Sequence, residues 1–340
     1  MKTITILIPA YNEEESLHLL YKRMTEVTAG LPEYDFELLF INDGSRDRTM
    51  PIIKELREED VRVSYVDLSR NFGKETAMIA GFDHSKGDAV IILDADLQDP
   101  PELIPEMIKY WEQGYDDVYA KRRSRAGESW MKKTTARLFY KTLKKISQVP
   151  IQENTGDFRL LDRRCVEAIK QLRETQRYTK GMFSWVGYNK KEILFDRDPR
   201  ISGETKWNYG KLFDLAVEGL TSFTTAPLRL SSLFGVGVSF LAFLFMIWII
   251  IKTIAFGEPV AGYPSLMSVI LFLGGIQLIV LGIIGEYLGR VFNETKKRPL
   301  YFVDEYNNQK VSNQPFNSRS IYEYDFDYDS IDKKESKNYE

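Results

Sequence analysis

Two carboxylates, Asp94 and Asp96, stand two residues apart at the end of the apolar run Ala89-Val90-Ile91-Ile92-Leu93. In an extended chain, residues i and i+2 share one face, so a strand ending this way opens both oxygens on one mouth of a sheet. Like charges that close repel unless a cation or a donor-rich ligand lies between them. A hard divalent cation takes oxygen ligands and commonly shares one or two carboxylates with substrate phosphates. An Asp-x-Asp is also an ordinary solvated strand end, so its surroundings decide. Two further polar clusters follow apolar runs: Pro9-Ala10-Tyr11-Asn12-Glu13 and Asn42-Asp43-Gly44-Ser45. Tyr11 can stack on a planar base, and Asp43 can accept from a base N–H. The plainer alternative is local: Asn12 is a good helix N-cap, and Asn-Asp-Gly-Ser is good turn chemistry.

These clusters need a scaffold, and the first 119 residues supply an alternating pattern. Apolar runs at residues 3–8, 36–41, 61–68 and 89–93 read as strands. Residues 14–29, 48–59, 74–84 and 102–113 read as helices, the last opened by Pro100-Pro101. Such alternation predicts an α/β fold with a mostly parallel sheet and helices on both faces. Ligands of such sheets bind beyond the carboxyl ends of the strands, where all three clusters fall. Residues 121–200 are more mixed: a basic helix over 130–146, a strand at 158–161, a helix over 166–172 and a strand at 191–195.

Composition narrows the function. Acidic and basic residues nearly balance, 49 against 46, which argues against a nucleic-acid binder. The single cysteine, Cys165, excludes an internal disulfide, and two histidines are too few for a histidine metal centre. The start of the chain lacks a basic stretch before a long apolar core, so no cleaved signal peptide is expected. Two apolar blocks, about 230–251 and 266–288, the first uncharged and the second uncharged up to Gly285, are each long enough to cross a bilayer as a helix. Gly257, Pro259, Gly262 and Pro264 break the short connection, so the pair reads as a hairpin. Arg229 precedes it, and Arg290, Lys296, Lys297 and Arg298 follow, which places both ends and the large N-terminal part in the cytoplasm. Residues 207–227 read as an amphipathic interfacial helix and linker. After a basic segment, the chain beyond about Asp304 shows no apolar period and reads as disordered.

Taken in order, Pro9-Ala10-Tyr11-Asn12-Glu13, Asn42-Asp43-Gly44-Ser45-Arg46-Asp47 and Asp94-Ala95-Asp96-Leu97-Gln98-Asp99-Pro100 resemble the nucleotide-sugar half of family 2 glycosyltransferases. The closer resemblance is to the polyprenyl-phosphate branch, with bactoprenol glucosyltransferase and dolichyl-phosphate mannose synthase. Arg122-Arg123, Asn154-Thr155-Gly156-Asp157-Phe158-Arg159, Ser202-Gly203-Glu204-Thr205-Lys206-Trp207 and the two terminal helices extend it. The resemblance implies a GT-A fold over residues 1–206, followed by the two-helix transmembrane hairpin within 228–290 and a 291–340 tail. It implies that Pro9, Ala10, Tyr11, Glu13, Asp43 and Asp94 hold the donor nucleotide, and that Asp94 and Asp96 hold Mg²⁺ or Mn²⁺. Arg122, Arg123 and Lys206 would then meet phosphates, since guanidinium forks match phosphate oxygens. Gly203 would let a loop bearing Trp207 close, although Trp207 is equally placed to anchor at the bilayer interface. Asp157 is the candidate catalytic carboxylate; its alternative is a strand-start aspartate paired with Arg159.

The expected activity is inverting transfer of a hexose, from UDP-glucose or UDP-N-acetylglucosamine, to polyprenyl phosphate on the cytoplasmic leaflet. Expected partners are the donor, the lipid acceptor, the bilayer, and a flippase with a downstream transferase; a homo-oligomer stays open. One rival is a processive polysaccharide synthase, but Gln176-Arg177-Tyr178 lacks the Gln-x-x-Arg-Trp pattern and two spans make a poor channel. The other rival is a non-catalytic membrane scaffold, against which the intact Asp94, Asp96 and Asp157 speak.

Overall fold

β1 (Lys2–Ala10) shows how the sheet is built, because its side chains alternate between two cores. Ile4, Ile6 and Ile8 enter one apolar cluster, and Leu7 enters the other. All four are fully buried, each contributing roughly 1.5–3 kcal/mol by leaving water. A strand buried on both faces belongs at the centre of a sandwiched parallel sheet. This computed structural model describes residues 1–123, 155–175, 177, 179–196, 226–256 and 262–311.

The expected alternation appears as α1 (Leu17–Ala29), β2 (Tyr34–Asn42), α2 (Thr49–Glu59), β3 (Val63–Leu68), α3 (Lys74–His84) and β4 (Ala89–Ile92). A single 3₁₀ turn at Pro101–Leu103 leads into α4 (Ile104–Trp111). Then come β5 (Asp117–Arg122), β6 (Thr155–Asp162), α5 (Arg163–Lys170), α6 (Thr179–Trp185) and β7 (Lys190–Phe195). β1 pairs in parallel with both β2 and β4, and β2 with β3. β6 lies antiparallel between β4 and β5, while β7 runs parallel to β5. Helices α1, α2 and α4 cover one face through Leu17, Leu20, Ile53 and Met107. Helices α3, α5 and α6 cover the other through Met78, Phe82, Val166 and Phe183. Gly81 lets α3 sit close: a Cβ there would fall 1.7 Å from Leu7 Cδ1. Cys165 is buried in α5 as a small core residue, and burial pushes its thiol up to about 12.

Two long helices follow, α7 (Ala226–Phe256) and α8 (Tyr263–Thr295), and they pack on each other. They extend the expected blocks at both ends. Within α8, Phe272–Thr295 is long and apolar enough to cross a membrane and is not buried in the protein. Phe234, Phe240, Leu241 and Trp248 of α7 are likewise exposed.

Past α8 the structure departs from the sequence expectation. The chain near Asp304 is not disordered: β8 (Val303–Tyr306) adds antiparallel to β3, and β9 (Gln309–Lys310) turns back on β8. Asp67 and Ser69 on the β3 side meet Glu305 and the Phe302 carbonyl, so these strands close one edge of a nine-stranded sheet. Expectations for the helix over 130–146, for Gly203, Lys206 and Trp207, for the helix over 208–223 and for the tail past 311 lie outside the described residues.

Candidate functional site

The parallel strands β1, β2 and β4 end at Ala10, Asn42 and Ile92, which sets the three predicted clusters side by side. The first two loops are laced together. Asn12 donates its backbone N–H to Ser45 Oγ (3.0 Å), and its Oδ1 accepts from the Arg46 N–H (2.9 Å). Glu13 N–H donates to Thr49 Oγ1 at 2.8 Å. Asn12 adopts a left-handed φ of 56° and is not the cap of α1, whose N-cap is Ser16. Tyr11 stands 40% exposed above this lattice, free for stacking.

Asp43, expected to accept from a base, is already engaged within the protein. It is buried, and its two oxygens accept from the backbone N–H groups of Phe72 (2.7 Å) and Gly73 (3.0 Å). Burial raises its pKa, and those two bonds offset part of the rise. Its work is to pin the loop between β3 and α3. Gly44, at φ 65°, lets that loop lie almost on its α-carbon: a Cβ there would fall 2.4 Å from the Arg70 carbonyl carbon.

What this loop delivers is Lys74, the first residue of α3, which the sequence reading passed over. Its Nζ lies 2.7 Å from Asp94 and 2.6 Å from Asp157 Oδ2. Asp157 thus pairs with Lys74 and not with Arg159, whose guanidinium is wholly buried against Asp117 (3.1 Å) and the Phe183 ring (3.9 Å). Burial pushes Asp157 up, but Lys74, then Lys180 and Arg159, outweigh it and hold the carboxyl well below the usual range. Its second oxygen, Oδ1, is buried with no hydrogen-bond partner. Burial works against the charge of Lys74, yet Asp157 and Asp94 hold the ammonium above its ordinary pKa. Glu75, next in α3, accepts from the Thr179 N–H at 2.7 Å; burial, with the charge of Asp157 second, pushes its carboxyl up to about 7. The signal for Lys74 and Glu75 was present: Gly73-Lys74-Glu75 opens a helix after a fourth parallel strand, on the same edge as the other clusters.

Asp94 and Asp96 do not owe their placement to strand alternation, because β4 stops at Ile92 and both lie in the following loop. Asp96 Oδ1 accepts from the Gln98 N–H (3.2 Å) across Leu97, which takes a left-handed φ of 60°. Ala95 and Leu97 are buried and anchor this turn. Of the two arginines, Arg122 packs on β6: its Nη2 is 3.6 Å from where a Cβ on Gly156 would stand. Arg123 instead faces Asp196 at 3.7 Å, both largely exposed.

The donor set suits a hard divalent cation shared with a ligand. Asp94 and Asp157 already gather around one positive charge, and Asp157 has an oxygen to spare. Among the described residues no group of three or more His, Cys, Asp or Glu forms a cage for a metal ion. A cation held by one or two carboxylates commonly completes its shell with substrate phosphate oxygens, the usual arrangement for Mg²⁺.

The family described as glycosyl transferase family 2 matches residues 5–170, and the GtrB C-terminal hairpin matches residues 226–291. An uncharacterized glycosyltransferase of Synechocystis sp. is 51% identical over 89% of this chain and 95% of its own length. The bactoprenol glucosyl transferase of Shigella phage SfX is 48% identical, covering 88% of this chain and 98% of that protein. A putative glycosyltransferase of Bacillus subtilis, CsbB, is 43% identical over 89% and 92%. Among solved structures, mannosyl-3-phosphoglycerate synthase from Rubrobacter xylanophilus aligns with a TM-score of 0.45 at 16% identity, over 64% of this chain and 71% of that one.

Proposed function

Because this chain belongs to glycosyl transferase family 2, in the branch that ends in the GtrB hairpin, we propose that it transfers a hexose from a UDP-sugar, glucose or N-acetylglucosamine, to polyprenyl phosphate. The observation that carries this reading is the convergence of Asp94 and Asp157, from the ends of β4 and β6, on one cationic point. The names of the bactoprenol glucosyl transferases, similar over nearly their whole length, support the lipid acceptor.

In this reading Tyr11 stacks on the base, with Pro9, Ala10, Glu13 and the loop pinned by Asp43 as the wall of the nucleotide site. Asp94 and Asp96 hold Mg²⁺ or Mn²⁺, which supplies charge stabilisation for the departing diphosphate. A phosphate oxygen of the acceptor attacks the anomeric carbon from the face opposite the nucleotide. The bond from that carbon to the diphosphate oxygen breaks, its electron pair leaves with UDP, and the configuration inverts. A phosphate monoester is already largely anionic at neutral pH, so no base has to strip it. The depressed pKa of Asp157 agrees with that: a carboxylate that holds protons so weakly is a poor base, and it serves to orient the acceptor. Arg122 and Arg123, at the end of β5, are the phosphate-binding arginines in this reading. Residues 1–206 form the catalytic domain together with the edge strands β8 and β9, α7 and α8 both span the bilayer, and the basic flanks keep the catalytic face cytoplasmic. The hairpin then holds the site beside the head-group plane, where the acceptor phosphate lies.

The test is transfer of radiolabelled sugar from a panel of nucleotide sugars to undecaprenyl phosphate, with and without EDTA. Label in the lipid fraction that EDTA abolishes is expected. No label with any donor in the presence of Mg²⁺ or Mn²⁺ would favour a scaffold, and released polymer would favour a processive synthase.

A further inference from the structure

Lys74 sits where two carboxylates of the site meet, and the reaction as proposed above assigns it nothing. Its ammonium donates to Asp94 Oδ2 at 2.7 Å and to Asp157 Oδ2 at 2.6 Å, and Asp94 Oδ1 lies 2.7 Å away as well. A divalent cation bound by Asp94 would be set against this ammonium at short range, where like charges repel strongly. The two cannot share Asp94 at no cost. Yet the side chain is not locked in. It is 42% exposed, on a flexible four-carbon stem, at the first residue of a helix. If Asp94 is taken from it, Nζ keeps Asp157 and needs a new anionic partner. A nucleoside diphosphate brings one in its phosphate oxygens.

We propose that Lys74 is a resident counter-ion of the free enzyme, a positioning residue that closes Asp94 onto Asp157 and gives up Asp94 only when a diphosphate arrives to receive it. Cation binding and nucleotide binding are thereby coupled through one side chain. The cation alone must displace the ammonium and leave it short of a partner, so it binds weakly. The cation with nucleotide lets Lys74 exchange one anion for another, so it binds tightly. By linkage, the nucleotide gains from the cation by the same factor. Asp157 stays on Lys74 throughout, so the same residue that senses the donor holds the acceptor-side carboxylate in place. This inference rests on the reading of the site as one for a cation and a nucleotide.

The experiment is Mn²⁺ binding followed by electron paramagnetic resonance on the full chain in detergent, with and without UDP. It compares wild type, Lys74→Met and Lys74→Arg, each checked by thermal melting. In wild type, UDP should tighten Mn²⁺ binding by about tenfold or more, a typical coupling. Lys74→Met should bind Mn²⁺ alone about tenfold tighter than wild type, because the competing charge is gone. Its UDP enhancement should fall towards one, and its transfer rate should drop. Lys74→Arg keeps the charge and should keep most of the enhancement. A purely structural Lys74 would lower the melting temperature without changing the ratio of the two Mn²⁺ affinities. Lys74→Met that binds free Mn²⁺ no tighter than wild type, or keeps the full enhancement, would overturn the proposal. Should Lys74→Met melt below the assay temperature, Lys74→Gln replaces it under the same criteria. Wild type that binds no Mn²⁺ even with UDP would instead sink the reading of the site itself, and the two failures are told apart by that control.

Discussion

Asp157 has one oxygen on Lys74 and the other buried without a partner, while burial and the charge of Asp157 push the neighbouring Glu75 carboxyl up to about 7. Two neighbouring carboxyls are thus pushed in opposite directions, which is the signature of a functional site more than of a packed core. Glu75 gives a prediction with a definite sign. Its pKa rises from 4.5 to about 7 on folding. Between those values the folded protein retains a proton that the unfolded chain has released. Stability therefore declines as pH rises through that window and is flat above it. Glu75→Gln fixes the neutral form, so it should match wild type near pH 4 and exceed it at pH 8 by up to about 3 kcal/mol. Denaturant melts at the two pH values decide this; a variant less stable than wild type at pH 8 would show that the charged form of Glu75 is the one the fold needs. Asp96→Ala tests the other end of the site. Transfer should fall by at least about a hundredfold with an unchanged melting temperature, and near-normal turnover would remove Asp96 from the cation site. Asp94 and Asp96 were legible because they follow an apolar run, whereas the pairing of Lys74 with Asp157 was not. It depends on β6 lying beside β4 with opposite direction, which brings residue 157 to residue 74 and which no local pattern encodes.

The elements that place these groups are held by close backbone approaches as much as by side chains. Gly44 is the clearest case, because it has both a left-handed φ and a neighbour inside any Cβ. Gly44→Ala would add about 1–2 kcal/mol of backbone strain before the clash with Arg70 is counted. The loop from Arg70 to Gly73 must then shift, and Lys74 shifts with it. The expected result is a loss of UDP affinity of about tenfold by calorimetry, worth about 1.4 kcal/mol, with the circular dichroism of the fold retained. Unaltered UDP binding would mean that the loop adjusts without disturbing the site. The alternation of strands and helices up to β4 was plain in the sequence, since period-two and helical periods change at each turn. The edge strands were not. Val303-Asp304-Glu305-Tyr306 is short, half-exposed and acidic, as sheet edges often are, and it offers no apolar run to find.

At the scale of the whole molecule, residues that follow the α7–α8 hairpin complete the sheet that carries the candidate site. Glu294, at the end of α8, accepts from the Thr175 N–H at 2.8 Å. Tyr301 donates to Asp83 at 2.7 Å, where Arg173 also pairs at 2.7 Å. Asp83 lies near the C-terminal end of α3, the helix whose first residue is Lys74. Tyr65 of β3, fully buried, donates its hydroxyl hydrogen to Glu305 and accepts from the Asn308 N–H at 2.8 Å, while Asn307 Oδ1 accepts from the Tyr65 N–H at 2.8 Å. A chain cut after Arg298 keeps the hairpin but exposes β3 as a free edge and leaves Asp83 with one partner fewer. It should melt at least about 4 °C lower than the full chain and aggregate more readily. A chain cut after Val311 retains every one of these contacts and should melt with the full chain. A cut before Asn307 would remove both asparagines that hold Tyr65 and should melt with the shorter chain. If the two truncated chains melt together, β8 and β9 are ornament. If only the shorter one fails, the catalytic sheet is finished by chain that has already passed through the hairpin, so its edge can form only after α7 and α8 have been made.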